Sequence, residues 1–294
     1  MADDGFQVVK KRRGYKCRSH KEENGSCAKL WKSRTSSETI TCDANELRTK
    51  IEKCRAEVSG SDFFTSVREL FYNGYCVDNT SNVAESERPN TKVIPQEPFT
   101  DIVCYGIGKL TSCPIARYQF AFLLLLKEFL QIAGQCFIYE PQFSKDDKSL
   151  VGDFGCSLIE HNEEGKRKVD SSTLFFMLHC GKPLYNSVLW ANWGPGLSNV
   201  VILGNRLTSY QERLPSRQLR TETPYIYNIL PYMMETPIPN TFHHSDIFND
   251  SAIHWFPTEM LASVPQALWK DNDEPVYDAN DPEIVTTIER TAVS

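Results

Sequence analysis

Asp101-Ile102-Val103-Cys104-Tyr105-Gly106-Ile107-Gly108 is the stretch whose reading decides the fold. An apolar run of strand length ends on two glycines, and an apolar helix begins near residue 114. Glycine lets the backbone turn sharply and approach a bound group, while a helix N-terminus offers unpaired N–H donors. An open α/β sheet uses this arrangement to open a ligand crevice beyond its strand ends. Further strand candidates follow at 135–139, 156–159, 172–178 and 199–203. They are continuous apolar runs, as buried parallel strands are. Helices are expected at 114–132, 146–152 and 183–191 between them. Such alternation implies right-handed crossovers and a Rossmann-like three-layer α/β sandwich with a mostly parallel sheet. Residues 220–257, dotted with Pro224, Pro231, Pro237 and Pro239, read as a helix, a loop and a last strand at Ala252–Phe256.

Working outward, residues 43–98 read as a helical lead-in and linker. Asp43 is placed to cap a helix bearing Leu47, Ile51 and Cys54, and Ser59-Gly60-Ser61-Asp62 breaks it and caps a second one bearing Phe63, Val67, Leu70 and Phe71. Residues 79–98 are polar and proline-dotted. Residues 1–36 are basic and 261–294 acidic, and both are expected to be mobile tails flanking a domain at 99–260.

The 294 residues carry a net charge of −6, which gives the whole chain no electrostatic case for nucleic acid. Phe120–Leu126 is the most apolar run, but Lys127 and Glu128 end it, so it reads as a buried helix rather than a membrane span. Met1 is followed by Asp3 and Asp4 without an apolar stretch, so no secretory signal is expected. The ten cysteines show no metal-binding spacing and fit reduced thiols of the cytoplasm. Lys10-Lys11-Arg12-Arg13 resembles a nuclear-import signal, with an ordinary basic tail as the alternative.

The strand ends supply the candidate site. Tyr105, Gly106 and Gly108 follow the first strand, with Thr111 and Ser112 as capping hydroxyls before Pro114. Thr111 stands where a dinucleotide fingerprint has its third glycine. Glu140 ends the second strand, where an acid can take a ribose hydroxyl or merely cap a turn. His179 and Cys180 end the fourth strand and offer a base, a thiol or a metal or heme ligand. On an extended segment these neighbours point to opposite faces and form no dyad. Asn205 ends the fifth strand with an amide for a ligand, and Asn192 reads as a helix C-cap. Cys113-Pro114 at a helix start is a further heme-ligand candidate beside Cys180 and His179, and His243-His244 is a pair whose plain reading is a surface loop. No catalytic set and no metal site emerges.

Several short motifs together resemble the sensitivity-to-red-light-reduced (SRR-like) family. They are Val103-Cys104-Tyr105-Gly106-Ile107-Gly108, Ala116-Arg117-Tyr118-Gln119-Phe120-Ala121, Tyr139-Glu140-Pro141-Gln142-Phe143, Thr173 through Cys180, Ala191-Asn192-Trp193 and Ile202-Leu203-Gly204-Asn205. The resemblance covers roughly residues 95–260. Glu140 replaces the family's usual aspartate, and Leu178 stands where the family often has proline.

The resemblance implies a regulator of circadian-clock input, linked in animals to clock-gene expression and heme biosynthesis, with no enzymatic activity established. It implies protein partners, no specific nucleic-acid site, no membrane, and residence in the cytoplasm and nucleus. It names no cofactor. Three readings stay open: a non-enzymatic regulator, a nucleotide- or S-adenosylmethionine-binding transferase-like domain, and a heme sensor.

Overall fold

The computed structural model describes residues 44–75 and 98–287. The basic stretch 1–36, the Asp43 cap and residues 79–97 of the expected linker lie outside the described residues.

Seven strands make one sheet: β1 (Asp101–Tyr105), β2 (Cys136–Tyr139), β3 (Ser157–Leu158), β4 (Thr173–Met177), β5 (Val200–Asn205), β6 (Met234–Pro237) and β7 (Ser251–Trp255), in the order β3-β2-β1-β4-β5-β7-β6. The five strands from β3 to β5 run parallel, and β7 runs antiparallel to both β5 and β6. The order reverses direction between β1 and β4, so the chain leaves these neighbouring strands toward opposite sides and a crevice opens at their carboxyl ends.

Strand residues feed two cores alternately. Ile102, Cys104, Leu174, Phe176, Val201 and Leu203 enter one, while Val103, Tyr105, Phe175, Met177, Val200 and Ile202 enter the other. A pleated strand with both faces covered needs apolar residues at every position, and these runs supply them. The first core is covered by α1 (Ala44–Ser59), α2 (Asp62–Tyr75), α3 (Pro114–Phe129) and α4 (Lys145–Asp153). The second is covered by α5 (Lys182–Ala191) and, after α6 (Thr208–Arg213) and α7 (Ser216–Glu222), by α8 (Pro224–Ile229). Phe120–Leu126 is buried throughout within α3.

The lead-in helices belong to the first core. Ser61 Oγ accepts the Phe64 N–H at 3.2 Å and caps α2. The Phe63 ring stacks on Phe248 at 4.2 Å and meets Phe122 edge-on at 5.2 Å. Burying a phenylalanine contributes roughly 1.5–3 kcal/mol, so this cluster fastens α2 to α3 and to the loop 238–250.

Three departures from the sequence reading have physical reasons. β6 was hidden by Pro237, which is tolerated because β6 is an edge strand. α3 ends at Phe129, short of residue 132, because Gln131 adopts a left-handed φ of 51°. The stretch from 261, expected as an acidic mobile tail, is built into the fold as far as it is described. Leu261, Val264 and Ile284 are buried, and α9 (Thr258–Ala262) and α10 (Gln266–Lys270) lead into a strap along the carboxyl ends of the strands.

Candidate functional site

The loop after β1 is shaped by two left-handed glycines. Gly106 has φ 68°, and a Cβ there would lie 2.8 Å from Cys180 Sγ. Gly108 has φ 84°, and its missing Cβ faces Ala116 of α3 at 3.3 Å. A side chain at Gly108 would therefore press on α3. Three of the loop's amides are already engaged. Gly106 N–H donates to the Tyr139 carbonyl at 3.2 Å, Gly108 N–H to Glu140 Oε2 at 2.8 Å, and Thr111 N–H to Asp147 Oδ1 at 2.8 Å. The expected hydroxyl caps are not used: Cys113 occupies the N-cap of α3 without a side-chain bond, and Pro114 follows.

Glu140 is nearly buried and clasps two amides, with Oε1 accepting the Gln142 N–H at 2.9 Å. Burial pushes its carboxyl above the ordinary range, and the Gln142 and Gly108 amides pull it back without cancelling that push. The oxygens offered in the sequence reading to a ribose thus hold the loop itself. Asp147 does the same from α4, where it also closes a capping box with Ser144.

His179 and Cys180 do not lie on an extended segment. His179 has a left-handed φ of 56°, and β4 has already ended at Met177. Asn205 fixes this turn: its Oδ1 accepts the His179 N–H at 2.8 Å, and its Nδ2 donates to the Cys180 carbonyl at 3.0 Å. Both ends of its amide are thus bonded to the turn, and it is not among the residues that line the crevice. The Cys180 thiol donates to the Tyr105 carbonyl at 3.2 Å, and burial pushes its pKa well up. His179 Nδ1 lies 3.3 Å from Gln119 Nε2, which also donates to the Ile247 carbonyl, and burial lowers the imidazole's pKa. Of the heme-ligand candidates, Cys180 is committed to the Tyr105 carbonyl, His179 meets Gln119 through Nδ1 while its buried Nε2 has no hydrogen-bond partner among the described residues, and Cys113 borders the crevice.

The crevice holds a cavity of about 460 Å³, within the size range of small-molecule sites. Tyr105, Gly106, Gly108, Glu140, His179 and Cys180 line it together, drawn from the ends of three strands. The Tyr105 hydroxyl donates to Glu163 at 2.8 Å, and Glu163 accepts two bonds from Arg167. What sequence reasoning missed is the roof, formed by residues 279–285 of the C-terminal strap. The strap lands on Gly181, where a Cβ would sit 2.3 Å from the Glu283 carbonyl oxygen. It is held there by the Lys182–Glu283 ion pair at 3.0 Å and by Asn162 Nδ2 donating to the Val285 carbonyl at 2.6 Å. Further along, Thr287 N–H and Oγ both donate to Glu164. Asp278 and Asp281-Pro282 signal turns, but no local signal says where those turns dock.

Fold and crevice together define an α/β protein with a roofed, ligand-sized cavity at the carboxyl ends of a mostly parallel sheet. A family model described as the SRR1 domain matches residues 87–255, more than half of the chain, and the chain belongs to that family. It is 45% identical over 130 residues to an SRR1-like protein of Mus musculus, a match covering 43% of this chain and 52% of the mouse protein. It is 28% identical over 176 residues to an SRR1-like protein of Drosophila melanogaster, covering 59% and 62% of the two chains. It is 30% identical over 170 residues to Protein SENSITIVITY TO RED LIGHT REDUCED 1 of Arabidopsis thaliana, covering 57% and 58%. The chain thus spans between half and two thirds of the length of these curated relatives. No solved structure matches it. Among the described residues, no helix is long and apolar enough to cross a membrane.

Proposed function

We propose that this chain is a regulatory protein of light and circadian-clock signalling, and that its control element is a small molecule held in the roofed crevice. Family membership, which includes a plant protein named for red-light sensitivity, supports the signalling part. The observation that carries the ligand part is the cavity of about 460 Å³ where β1, β2 and β4 end. The strand order, its reversal between β1 and β4, and a core on each face support a Rossmann-like reading of the domain.

The chemistry of the lining favours one ligand class. A dinucleotide loop offers free amides to phosphate, whereas here Glu140 and Asp147 occupy the Gly108 and Thr111 amides. The lining also sets Glu140 and Asp281 against Lys109, with Glu283 already paired to Lys182. An uncharged or cationic molecule fits these walls better than a phosphorylated one, so S-adenosylmethionine is a better candidate than a nucleotide.

A thermal-shift series on the full chain with S-adenosylmethionine, nucleotides, dinucleotides and hemin tests this. A ligand at 100 times its Kd stabilises the native state by about 2.7 kcal/mol, a readily seen shift. We expect the shift with S-adenosylmethionine and its loss in Gln142→Trp, which places an indole at an exposed position of the crevice wall. No shift with any compound, or a shift unchanged in that variant, overturns the reading.

A further inference from the structure

We propose that Glu57, His243 and His244 form a binding site for a divalent transition-metal ion of the zinc type, which fastens α1 to the loop 238–250. One ligand atom from each of these residues lies within 4.8 Å of the others. A tetrahedral zinc with bonds of roughly 2.0–2.1 Å spaces its ligand atoms about 3.4 Å apart. Closing the difference needs only small side-chain rotations, and both histidines are exposed enough to make them. Two neutral imidazoles and one carboxylate are a donor set that zinc takes with a fourth position open to water. The resulting site carries one negative charge to meet the cation.

The three groups are held before any ion arrives. The Tyr118 hydroxyl donates to Glu57 Oε2 at 2.6 Å and orients the carboxylate, as partners behind metal ligands do. His243 Nε2 stands 3.7 Å from the same oxygen. The two imidazole rings lie 4.1 Å apart, with Phe242 against His243 at 4.4 Å and Tyr118 against His244 at 5.5 Å. Glu57 lies outside the stretch that the SRR1-domain model matches, and the histidines lie inside it. The ion therefore joins the lead-in helix to the family domain, through a loop whose Ile247 carbonyl bonds the Gln119 that meets His179. This site is separate from the crevice and stands or falls independently of it.

Calorimetric titration of chelator-treated full chain with zinc chloride tests the proposal, with the cobalt(II) absorption spectrum as a second readout. We expect one equivalent bound, a rise in Tm, and a cobalt spectrum of tetrahedral nitrogen and oxygen ligation. His243→Ala and His244→Ala change exposed side chains, and circular dichroism checks that each variant is folded. Each is expected to abolish this binding. Tyr118→Phe keeps every ligand and is expected to weaken binding by roughly 10- to 100-fold. Three results overturn the site: no zinc binding, binding unchanged in the double histidine variant, or cobalt charge-transfer bands of thiolate ligation, which would assign the ion to cysteines instead.

Discussion

Two glutamates at strand ends use one device to opposite effect. Glu140, after β2, clasps the Gly108 and Gln142 amides beside an open cavity. Glu235, on β6, accepts the Thr208 N–H at 3.0 Å and its hydroxyl, and faces His254 directly across the β6–β7 pair, with Nε2 at 3.1 Å. Burial raises both carboxyls. At Glu235 the bonds from His254 and Thr208 outweigh it and hold the pKa at about 2, whereas at Glu140 burial prevails and the pKa stays above the ordinary range. Both donor sets are rich, but only Glu235 has an imidazole. A carboxylate whose donors include an imidazole is held ionised in a solid corner, while one held only by backbone amides beside a void is pushed toward its neutral form by burial.

The largest expected effect is at the solid corner. Removing His254, which is fully buried, empties a large core site and leaves Glu235 with Thr208 and Arg206 alone, and truncating a large buried side chain to alanine costs roughly 3–5 kcal/mol. His254→Ala should therefore lower the denaturant midpoint strongly while leaving any crevice ligand bound. An equal loss of ligand affinity would show that the two regions are not independent.

A smaller effect is expected at the landing point of the strap. Gly181→Ala sets a methyl against the Glu283 carbonyl and should cost about 1–3 kcal/mol, as overpacking does. Hydrogen exchange should quicken in residues 272–287 and not in β1 or β4. Uniform quickening would mean that the strap is no separate unit.

The smallest effect sharpens the contrast. Glu140→Gln keeps the shape and loses one charge-assisted acceptor, for about 1 kcal/mol. The pH dependence should distinguish the pair by sign. Glu235, with its pKa lowered, contributes stability above its unfolded value of about 4.3, and that contribution fades as pH falls toward 2. Glu140, with its pKa raised, costs stability as pH climbs above about 4.3 and the carboxyl ionises. Relative to wild type, Glu235→Gln should thus recover on acidification and Glu140→Gln on alkalisation. Parallel profiles would defeat the comparison.

The sequence made the parallel strands legible because β1, β2, β4 and β5 are each built around an apolar run, and β1 matched its expected limits of Asp101–Tyr105, while β3 is only Ser157–Leu158 within the expected 156–159. It also brought Tyr105, Gly106, Gly108, Glu140, His179 and Cys180 to one cavity, since strand ends of a parallel sheet share an edge. What it could not show is what those groups touch. Asn205 reads as a ligand contact because an amide at a strand end is chemically ambiguous, and the sequence carries no sign that it bonds the backbone turn at His179. Glu235 and His254 carry no shared motif and meet only through antiparallel pairing, which a proline in β6 disguised. The strap was read from its charge, whereas its position depends on Gly181, about a hundred residues away.

That separation gives the molecule a history. The last strand of the sheet ends at Trp255, so during synthesis every strand exists before the roof has been made. Residues 279–285 belong to no strand, so the roof adds to a sheet that pairs without it, and lifting it would open the crevice with every strand in place.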